Sequence, residues 1–140
     1  MEYTFSLESN PDPETSAWII QRLDEYNRQQ SEDNHHQLLA VFVRDGSGEL
    51  IGGLLGGTYW GWLHIDILWV REDSRRSGLG KQMLAEAESE AVRRGCRHAH
   101  VDTHDFQAPD FYLRNGYTVW GVLEDLPPGH KRIYLRKDLV

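Results

Sequence analysis

The spacing of apolar residues changes abruptly near residue 75. The segment WLHIDILWV (62–70) is a continuous run dominated by apolar residues, which is typical of a strand. Beyond the change, apolar residues recur at the spacing of one helix face, namely at Leu79, Met83, Leu84, Ala87 and Ala91. This helix is expected to end at Gly95. The chain therefore has to pass from a strand into a helix through the short turn SRRSGLG (74–80).

The connecting turn combines bare backbone with positive charge. A helix N-terminus leaves backbone N–H groups unpaired and carries about half a positive charge, so it attracts phosphate groups. Gly78 and Gly80 have no Cβ atom to block a ligand's approach to this backbone. Arg75, Arg76 and Lys81 can donate charge-assisted hydrogen bonds. The turn predicts a phosphate or pyrophosphate site, although glycines required only for tight geometry would give the same pattern.

Two common phosphate-binding motifs do not fit this turn. A Walker loop requires Gly-x-x-x-x-Gly-Lys followed by Ser or Thr, but Arg75 occupies the first glycine position and Gln82 follows the lysine. A Rossmann Gly-x-Gly-x-x-Gly motif fails because Met83 stands at the third glycine position.

The remaining patterns predict a mixed α/β fold of the α+β type. The expected order is β-α-β-β-β-α-β-α-β-β, starting with a strand at 3–8 and a helix that begins at Asp12-Pro13. Two strands joined by DGSG (45–48) read as a hairpin, which forms an antiparallel meander with the strand at 62–70. The later elements are strands at 98–104, 117–124 and 131–139 and a short helix at 109–115.

Composition narrows the class of protein. The 140 residues carry a net charge of −7, so the basic surface typical of nucleic-acid binding is missing. No apolar run reaches the roughly 18 residues of a membrane span, and no signal-peptide pattern opens the chain. The single cysteine, Cys96, allows no internal disulfide and agrees with a reducing compartment. We expect one cytoplasmic domain over residues 1–140, with no nucleic-acid or membrane partner.

Two motifs resemble the GCN5-related N-acetyltransferase (GNAT) superfamily. The first, residues 75–80 (RRSGLG), is similar to its acyl-CoA signature Gln/Arg-x-x-Gly-x-Gly/Ala. The second, in APDFYLRNGY (108–117), is similar to Ala-x-x-hydrophobe-Tyr-x-x-x-Gly-Phe. The resemblance covers most of the chain, is strongest over 38–121, and looks like a small bacterial branch of the superfamily. It implies a mostly antiparallel central sheet with a V-shaped splay, flanked by helices.

The resemblance also implies acetyl-CoA as co-substrate. The pyrophosphate would lie on the backbone of residues 76–81, and the pantetheine arm would run along residues 68–70 like an added strand. The implied cofactor-binding residues are Leu68, Trp69, Val70, Arg75, Arg76, Ser77, Gly78, Leu79, Gly80, Lys81, Asp105 and Phe111. Asp105 stands where the family often has Asn, and an ionised carboxylate cannot donate the corresponding hydrogen bond.

The implied reaction is acetyl transfer to an amine. An aliphatic amine, with a pKa of about 10.4, must lose a proton before it attacks. His64 and Asp66 are two positions apart on one strand and should share a face, and the family implies a base at one of them. A structural ion pair of Asp66, with His64 packed against Trp60 or Trp62, would explain the same residues. Tyr112 matches the family's general acid for the leaving thiolate, or it anchors the cofactor arm.

The acceptor is an amine of a small molecule or a peptide, with polyamines, aminoglycosides and amino acids all open. Loops 26–37 and 123–131, which carry acidic residues suited to a cation, are expected to build its pocket. The aromatic cluster Tyr59, Trp60 and Trp62 either packs together or forms a wall for the acceptor. A homodimer is a family-level expectation.

Two other functions remain open from the residues. One is a non-catalytic acyl-CoA-binding regulatory module. The other is a metal-binding protein, since five candidate ligands alternate along one segment and would face one way: Cys96, His98, His100, Asp102 and His104. Neighbours on one strand face lie about 6.5–7 Å apart, so these five cannot converge on one ion without other elements, and no metal site is predicted.

Overall fold

The chain forms three α-helices and six β-strands in the computed structural model, which describes residues 1–140. In chain order they are α1 (Pro13–Gln30), β1 (Gln37–Arg44), β2 (Leu50–Tyr59), β3 (Trp62–Val70), α2 (Leu79–Arg93), β4 (His98–His104), α3 (Pro109–Arg114), β5 (Thr118–Glu124) and β6 (Lys131–Asp138). A 3₁₀ turn, Glu72–Ser74, follows β3. The predicted order is confirmed from the first helix onward.

The predicted strand at residues 3–8 is wrong. These residues adopt no regular secondary structure, and the apolar side chains of Tyr3, Phe5 and Leu7 are exposed. Alternation of apolar residues does not by itself make a strand, because a strand also needs a neighbour for its backbone hydrogen bonds. No strand of the sheet pairs with this segment.

The chain divides into two compact units, Met1–Asn34 and His35–Val140. In the first unit, α1 begins as predicted, because the Asp12 side chain accepts a hydrogen bond from the Glu14 backbone N–H at 3.1 Å and Pro13 opens the helix. The second unit holds the whole sheet together with α2 and α3. No helix in the structure combines the length and the apolar character that a bilayer crossing demands.

One six-stranded sheet, in the order β1-β2-β3-β4-β6-β5, organises the second unit. Neighbouring strands are antiparallel except β3 and β4, which are parallel. Helix α2 packs on one face of the sheet through its predicted apolar residues, of which all but the half-buried Leu79 are buried. The core on this side includes Leu54, Leu63, Ile65, Met83, Leu84, Ala87, Ala91, Ala99, Val101 and Leu135.

The two parallel strands separate partway along their length. They pair from Trp62 opposite His98 to Ile65 opposite Val101. Beyond that point, the rest of β3 pairs only with β2, and the rest of β4 pairs only with β6. The expected V-shaped splay is therefore confirmed, and it lies in the middle of the sheet.

Register shifts interrupt the regular strand pairing at three places, in the β1–β2, β2–β3 and β5–β6 pairs, and the last two place an extra residue in β3 and in β5. In β3, Ile65 lies opposite Gly56 and Ile67 lies opposite Leu55, which leaves Asp66 without an opposite residue. A Cβ atom at Gly56 would clash with the backbone carbonyl of His64, so glycine permits the close approach of the two strands. In β5, Trp120 is the extra residue, between the pairs Val119–Leu135 and Gly121–Tyr134. Bulges commonly turn a side chain away from its alternating position.

Candidate functional site

A cavity of about 1070 Å³ opens where β3 and β4 separate. Four segments line it: the end of β3 (66–70), the turn into α2, the end of β4 with the following loop, and α3. Of the residues singled out from the sequence, the lining includes Asp66, Leu68, Trp69, Val70, Arg75, Arg76, Gly78, Leu79, Gly80, Lys81, Phe111 and Tyr112. His64, Ser77 and Asp105 are outside it.

Gly78 is the N-cap of α2 and adopts a left-handed backbone conformation, with φ at 85°. Glycine adopts this conformation without the strain that a Cβ atom brings, and the space where that atom would lie is open. The first helical hydrogen bond runs from the Gln82 N–H to the Gly78 carbonyl at 3.0 Å, so the amides of 79–81 precede the helical ladder. Backbone donors thus border the cavity at this turn.

Position 80 requires a glycine for a different structural reason. A Cβ atom there would lie 3.2 Å from Cε1 of Phe111, so the absence of a side chain lets α3 pack against the start of α2. The sequence interpretation gave Gly80 and Gly78 the same purpose. The geometry separates the two, with Gly78 beside open space and Gly80 beside an aromatic ring.

Three cationic side chains surround the turn. The Nε–H of Arg75 donates to the Val70 carbonyl at 2.9 Å, which ties the turn to the end of β3. Arg76 has a positive φ of 62°, and both it and Lys81 line the cavity. The Ser77 hydroxyl instead donates to the Ser74 carbonyl and stabilises the turn itself. The cavity wall here is strongly positive, although the chain as a whole is acidic.

Tyr112 reaches the same cavity from α3. Its side chain is only 5% exposed, and its ring packs edge-on against Phe111 and Tyr117. Burial raises the pKa of the phenol to about 12, and the nearby Asp102 carboxylate adds to the rise. The phenol therefore holds its proton firmly at neutral pH.

The two candidate bases occupy different surroundings. Asp66, at the bulge of β3, is exposed and lines the cavity. His64 stacks on His100 of β4, with ring centroids 4.6 Å apart and planes 21° apart. Because the bulge interrupts the alternation, a spacing of two residues does not guarantee here that both side chains face one way.

Asp105 is held by the loop between β5 and β6. Its carboxylate accepts hydrogen bonds from His130 Nδ1 at 2.9 Å and from the Lys131 backbone N–H at 3.1 Å. Gln107 lines the cavity instead, and its Oε1 accepts from the Thr103 hydroxyl at 3.0 Å and the His104 N–H at 2.9 Å. Arg114 and Asn115 also line the cavity, and, like Gln107, the sequence analysis did not single them out as site residues.

The expectation that Cys96 shares a face with the histidines of β4 is wrong. Cys96 precedes the strand, is 4% exposed and belongs to the core, whereas Ala99, Val101 and Thr103 are the buried residues of the strand itself. The alternation could not extend to Cys96, because β4 begins only at His98. Burial also raises the pKa of the Cys96 thiol.

The polar side chains of β4 each have a local partner. His98 Nδ1 lies 2.7 Å from Asp138, His100 Nε2 lies 3.1 Å from the Tyr59 hydroxyl, and Asp102 accepts from Arg132 Nε at 2.8 Å. No three His, Cys, Asp or Glu side chains are grouped as metal ligands.

A second cavity, of about 490 Å³, has mainly aromatic walls. Its lining residues are Tyr59, Trp60, Trp62, His100, Trp120 and Arg136. The strand residues Trp62, His100 and Arg136 alternate with the buried residues Leu63, Ala99 and Leu135, so this cavity lies on the sheet face opposite α2. Burial lowers the pKa of His100, and the charge of the neighbouring His64 lowers it further. The Asp102 carboxylate acts in the opposite direction. None of the loop residues 123–131 lines this cavity.

Comparison with known proteins assigns the family. The Acetyltransferase (GNAT) family model matches residues 3–117. The chain belongs to the GNAT family. The resemblance seen in the sequence is therefore confirmed, and the protein is an acetyltransferase.

Individual relatives agree with this GNAT assignment. Blasticidin-S acetyltransferase of Streptomyces morookaense is 43% identical over 104 residues, which are 74% of this chain and 76% of that protein. Acetyltransferase Atu2258 of Agrobacterium fabrum (strain C58) is 35% identical over 133 residues, 95% of this chain and 97% of that protein. The crystal structure of an acetyltransferase from Bacillus cereus ATCC 14579 is 34% identical with a TM-score of 0.87, covering 95% of this chain and 97% of that one.

Proposed function

We propose that this GNAT enzyme transfers the acetyl group of acetyl-CoA to a primary amine of a small molecule. The observation that carries the proposal is one continuous cavity lined by the glycine-arginine turn, Asp66 and Tyr112. A phosphate-binding end, a carboxylate and a protonated phenol are the groups that acetyl transfer to an amine needs. The family assignment supports the same chemistry.

The cofactor's pyrophosphate would lie at the turn. The amides of residues 79–81 donate to its oxygens, and Arg75, Arg76 and Lys81 balance its charge. Because β3 loses its β4 partner after Ile65, the backbone of residues 66–70 has one edge open to the pantetheine arm. A backbone N–H near Trp69 or Val70 would then stabilise the oxyanion, by about 3–4 kcal/mol for a well-placed donor.

Asp66 is the base that we propose. Its carboxylate belongs to the cavity lining, whereas His64 does not. A protonated amine is attracted to the carboxylate and must give up its proton before the nitrogen attacks the thioester carbonyl. His64, whose ring stacks on that of His100, would relay or tune this transfer.

Tyr112 is the proposed acid. The leaving thiolate of coenzyme A takes the phenolic proton when the carbon–sulfur bond breaks. Its raised pKa of about 12 keeps the phenol protonated, so that it is a hydrogen-bond donor to the sulfur while the carbon–sulfur bond breaks.

A small-molecule acceptor is supported by the relative named as a blasticidin-S acetyltransferase. A peptide amine is the competing acceptor class, and a non-catalytic acyl-CoA-binding module is the competing function. The cytoplasmic location, the single domain over 1–140 and the homodimer stay predictions from the sequence and the resemblance.

The test is release of free thiol from acetyl-CoA in the presence of small-molecule and peptide amines. We expect turnover with small-molecule amines, and we expect Asp66→Asn to lower kcat/KM for the amine by about 10²-fold or more. Glu86→Gln, an exposed carboxylate change on α2, is the matched control and should leave turnover intact. Cofactor binding without turnover on any amine would support the regulatory module instead. Turnover confined to peptides would exclude the small-molecule acceptor.

A further inference from the structure

The aromatic cavity on the sheet face opposite α2 is not needed to bind the cofactor, and its residues do not belong to the lining of the larger cavity. At about 490 Å³ it lies within the range of small-molecule sites, about 300–1000 Å³. We infer that this cavity holds a planar heteroaromatic ring of the acceptor while the acceptor's amine reaches Asp66. The inference rests on the proposed acetyl transfer and names its substrate class.

Two of the aromatic walls are held by unusual backbone. Trp60 and Gly61 form the two-residue connection between β2 and β3, and both have positive φ, 46° for Trp60 and 78° for Gly61. Asn or Asp is the usual residue at the first of these positions, because a bulky side chain is strained there. Trp120 is the extra residue of the β5 bulge, and its ring lies 5.5 Å from that of Tyr134. Strain and bulges of this kind concentrate at functional sites.

The charges of the cavity favour a ring over a cation. Its lining contains no carboxylate, and its one charged side chain is Arg136, whose guanidinium lies 4.9 Å from the centroid of the Trp62 ring. A protonated amine would find no counter-ion among these walls, whereas Asp66 lines the neighbouring cavity. The Trp62 ring already contacts the His98 ring, with centroids 4.7 Å apart, and the Arg136 guanidinium. A planar ring would therefore stack on Trp120, which is 61% exposed. A carbonyl or ring nitrogen of that ring can accept a hydrogen bond from Arg136.

The distance along β3 between a wall of the aromatic cavity and Asp66 sets the length of the acceptor. Trp62 and Asp66 are four positions apart on β3, which corresponds to about 13 Å of strand. His64 lies between them, with its ring stacked on His100 of the aromatic cavity. The fitting acceptor therefore has a planar ring joined to a primary amine by a flexible linker of several atoms.

Binding is tested first, without catalysis, by NMR of the five tryptophan indole N–H groups. The planar heteroaromatic probes are nicotinamide and uracil, and coenzyme A is the probe for the cofactor site. We expect the planar probes to shift Trp62 and Trp120 but not Trp18, and coenzyme A to shift Trp69. If coenzyme A shifts Trp69 and no planar probe moves Trp62 or Trp120, the ring site is refuted while the proposed function stands.

Specificity is tested with a matched pair of amines. N-(6-aminohexyl)nicotinamide carries a ring, and N-(6-aminohexyl)acetamide has the same linker without one. We expect the ring to lower KM about 10-fold, as stacking on one aromatic side chain can supply. Trp120→Ala should abolish that difference without changing KM for acetyl-CoA, and Trp18→Leu should preserve it. Equal KM values for the two amines in the wild-type enzyme would overturn the inference. Loss of thiol release with both amines would count against the proposed function instead.

Discussion

At the scale of single residues, the surroundings of Tyr112 decide its chemistry. The phenol lies in the core yet faces the cavity, so it stays protonated at neutral pH and can donate a hydrogen bond to a thiolate that forms there. Its pKa is raised from 10.0 to about 12, mainly because burial penalises the phenolate. A group that acts in its protonated form stays active up to its folded-state pKa, so the shift extends its working range upward.

Tyr112→Phe tests this role. We expect kcat to fall by about 10²-fold while the Kd for acetyl-CoA changes little, since the ring that packs against Phe111 is retained. In the wild-type enzyme, kcat should show no loss from phenol ionisation between about pH 7 and pH 10, because the pKa lies near 12. Steady-state kinetics across this range checks both points. Equal losses in binding and turnover would assign Tyr112 an anchoring role.

At the scale of elements, the turn from β3 into α2 combines a left-handed glycine at the helix start with an open backbone. Gly78 supplies the left-handed conformation at the helix start, and Arg75 ties the turn to the Val70 carbonyl. The motif is therefore a structural joint as well as a binding surface, and a substitution there changes both stability and affinity.

Gly78→Leu and Gly95→Leu separate these two effects. Both glycines have φ near 90° and open space around the missing Cβ atom, but Gly95 lies at the far end of α2. Each change should cost about 1–2 kcal/mol of unfolding free energy because of the left-handed backbone. Only Gly78→Leu should also raise the Kd for acetyl-CoA, which calorimetry measures. A similar rise in both variants would show that the amides at the turn do not bind the cofactor.

At the scale of the whole molecule, distant parts of the second unit meet at one carboxylate. Glu88 of α2 accepts a hydrogen bond from the Tyr117 hydroxyl at 2.7 Å and from Lys137 Nζ of β6 at 2.8 Å. These contacts connect the helix behind the cavity, the segment after α3 and the last strand. Burial and Glu88 together raise the pKa of Tyr117, so its phenol stays a donor.

Glu88→Ala should therefore destabilise the fold more than an exposed change does. We expect a loss of about 1–3 kcal/mol, because both Tyr117 and Lys137 lose their partner in a half-buried position. Glu86→Ala, two residues earlier and exposed, is the control and should fall within about 0.5 kcal/mol of wild type. Denaturant unfolding measures both. Similar midpoints for the two variants would show that the network adds nothing to stability.

The sequence alone determined the features that depend on neighbouring residues. Helix periodicity, the Asp12 cap and the glycine turn are local, so the helices, most strands and the RRSGLG motif could be predicted. The family resemblance then supplied the splay and the association of Tyr112 with the turn, which no local pattern contains.

Only the tertiary structure decided which residues lie opposite one another on neighbouring strands and which face of the sheet each side chain occupies. The bulges at Asp66 and Trp120 depend on the partner strand, and the one at Asp66 breaks the alternation from which His64 and Asp66 were paired. The segment 3–8 had the pattern of a strand but no neighbour to complete its hydrogen bonds. The aromatic cavity draws on β2, β3, β4, β5 and β6, elements far apart in the chain. Such long-range convergence is set by the pairing of whole strands, which short-range spacing does not encode.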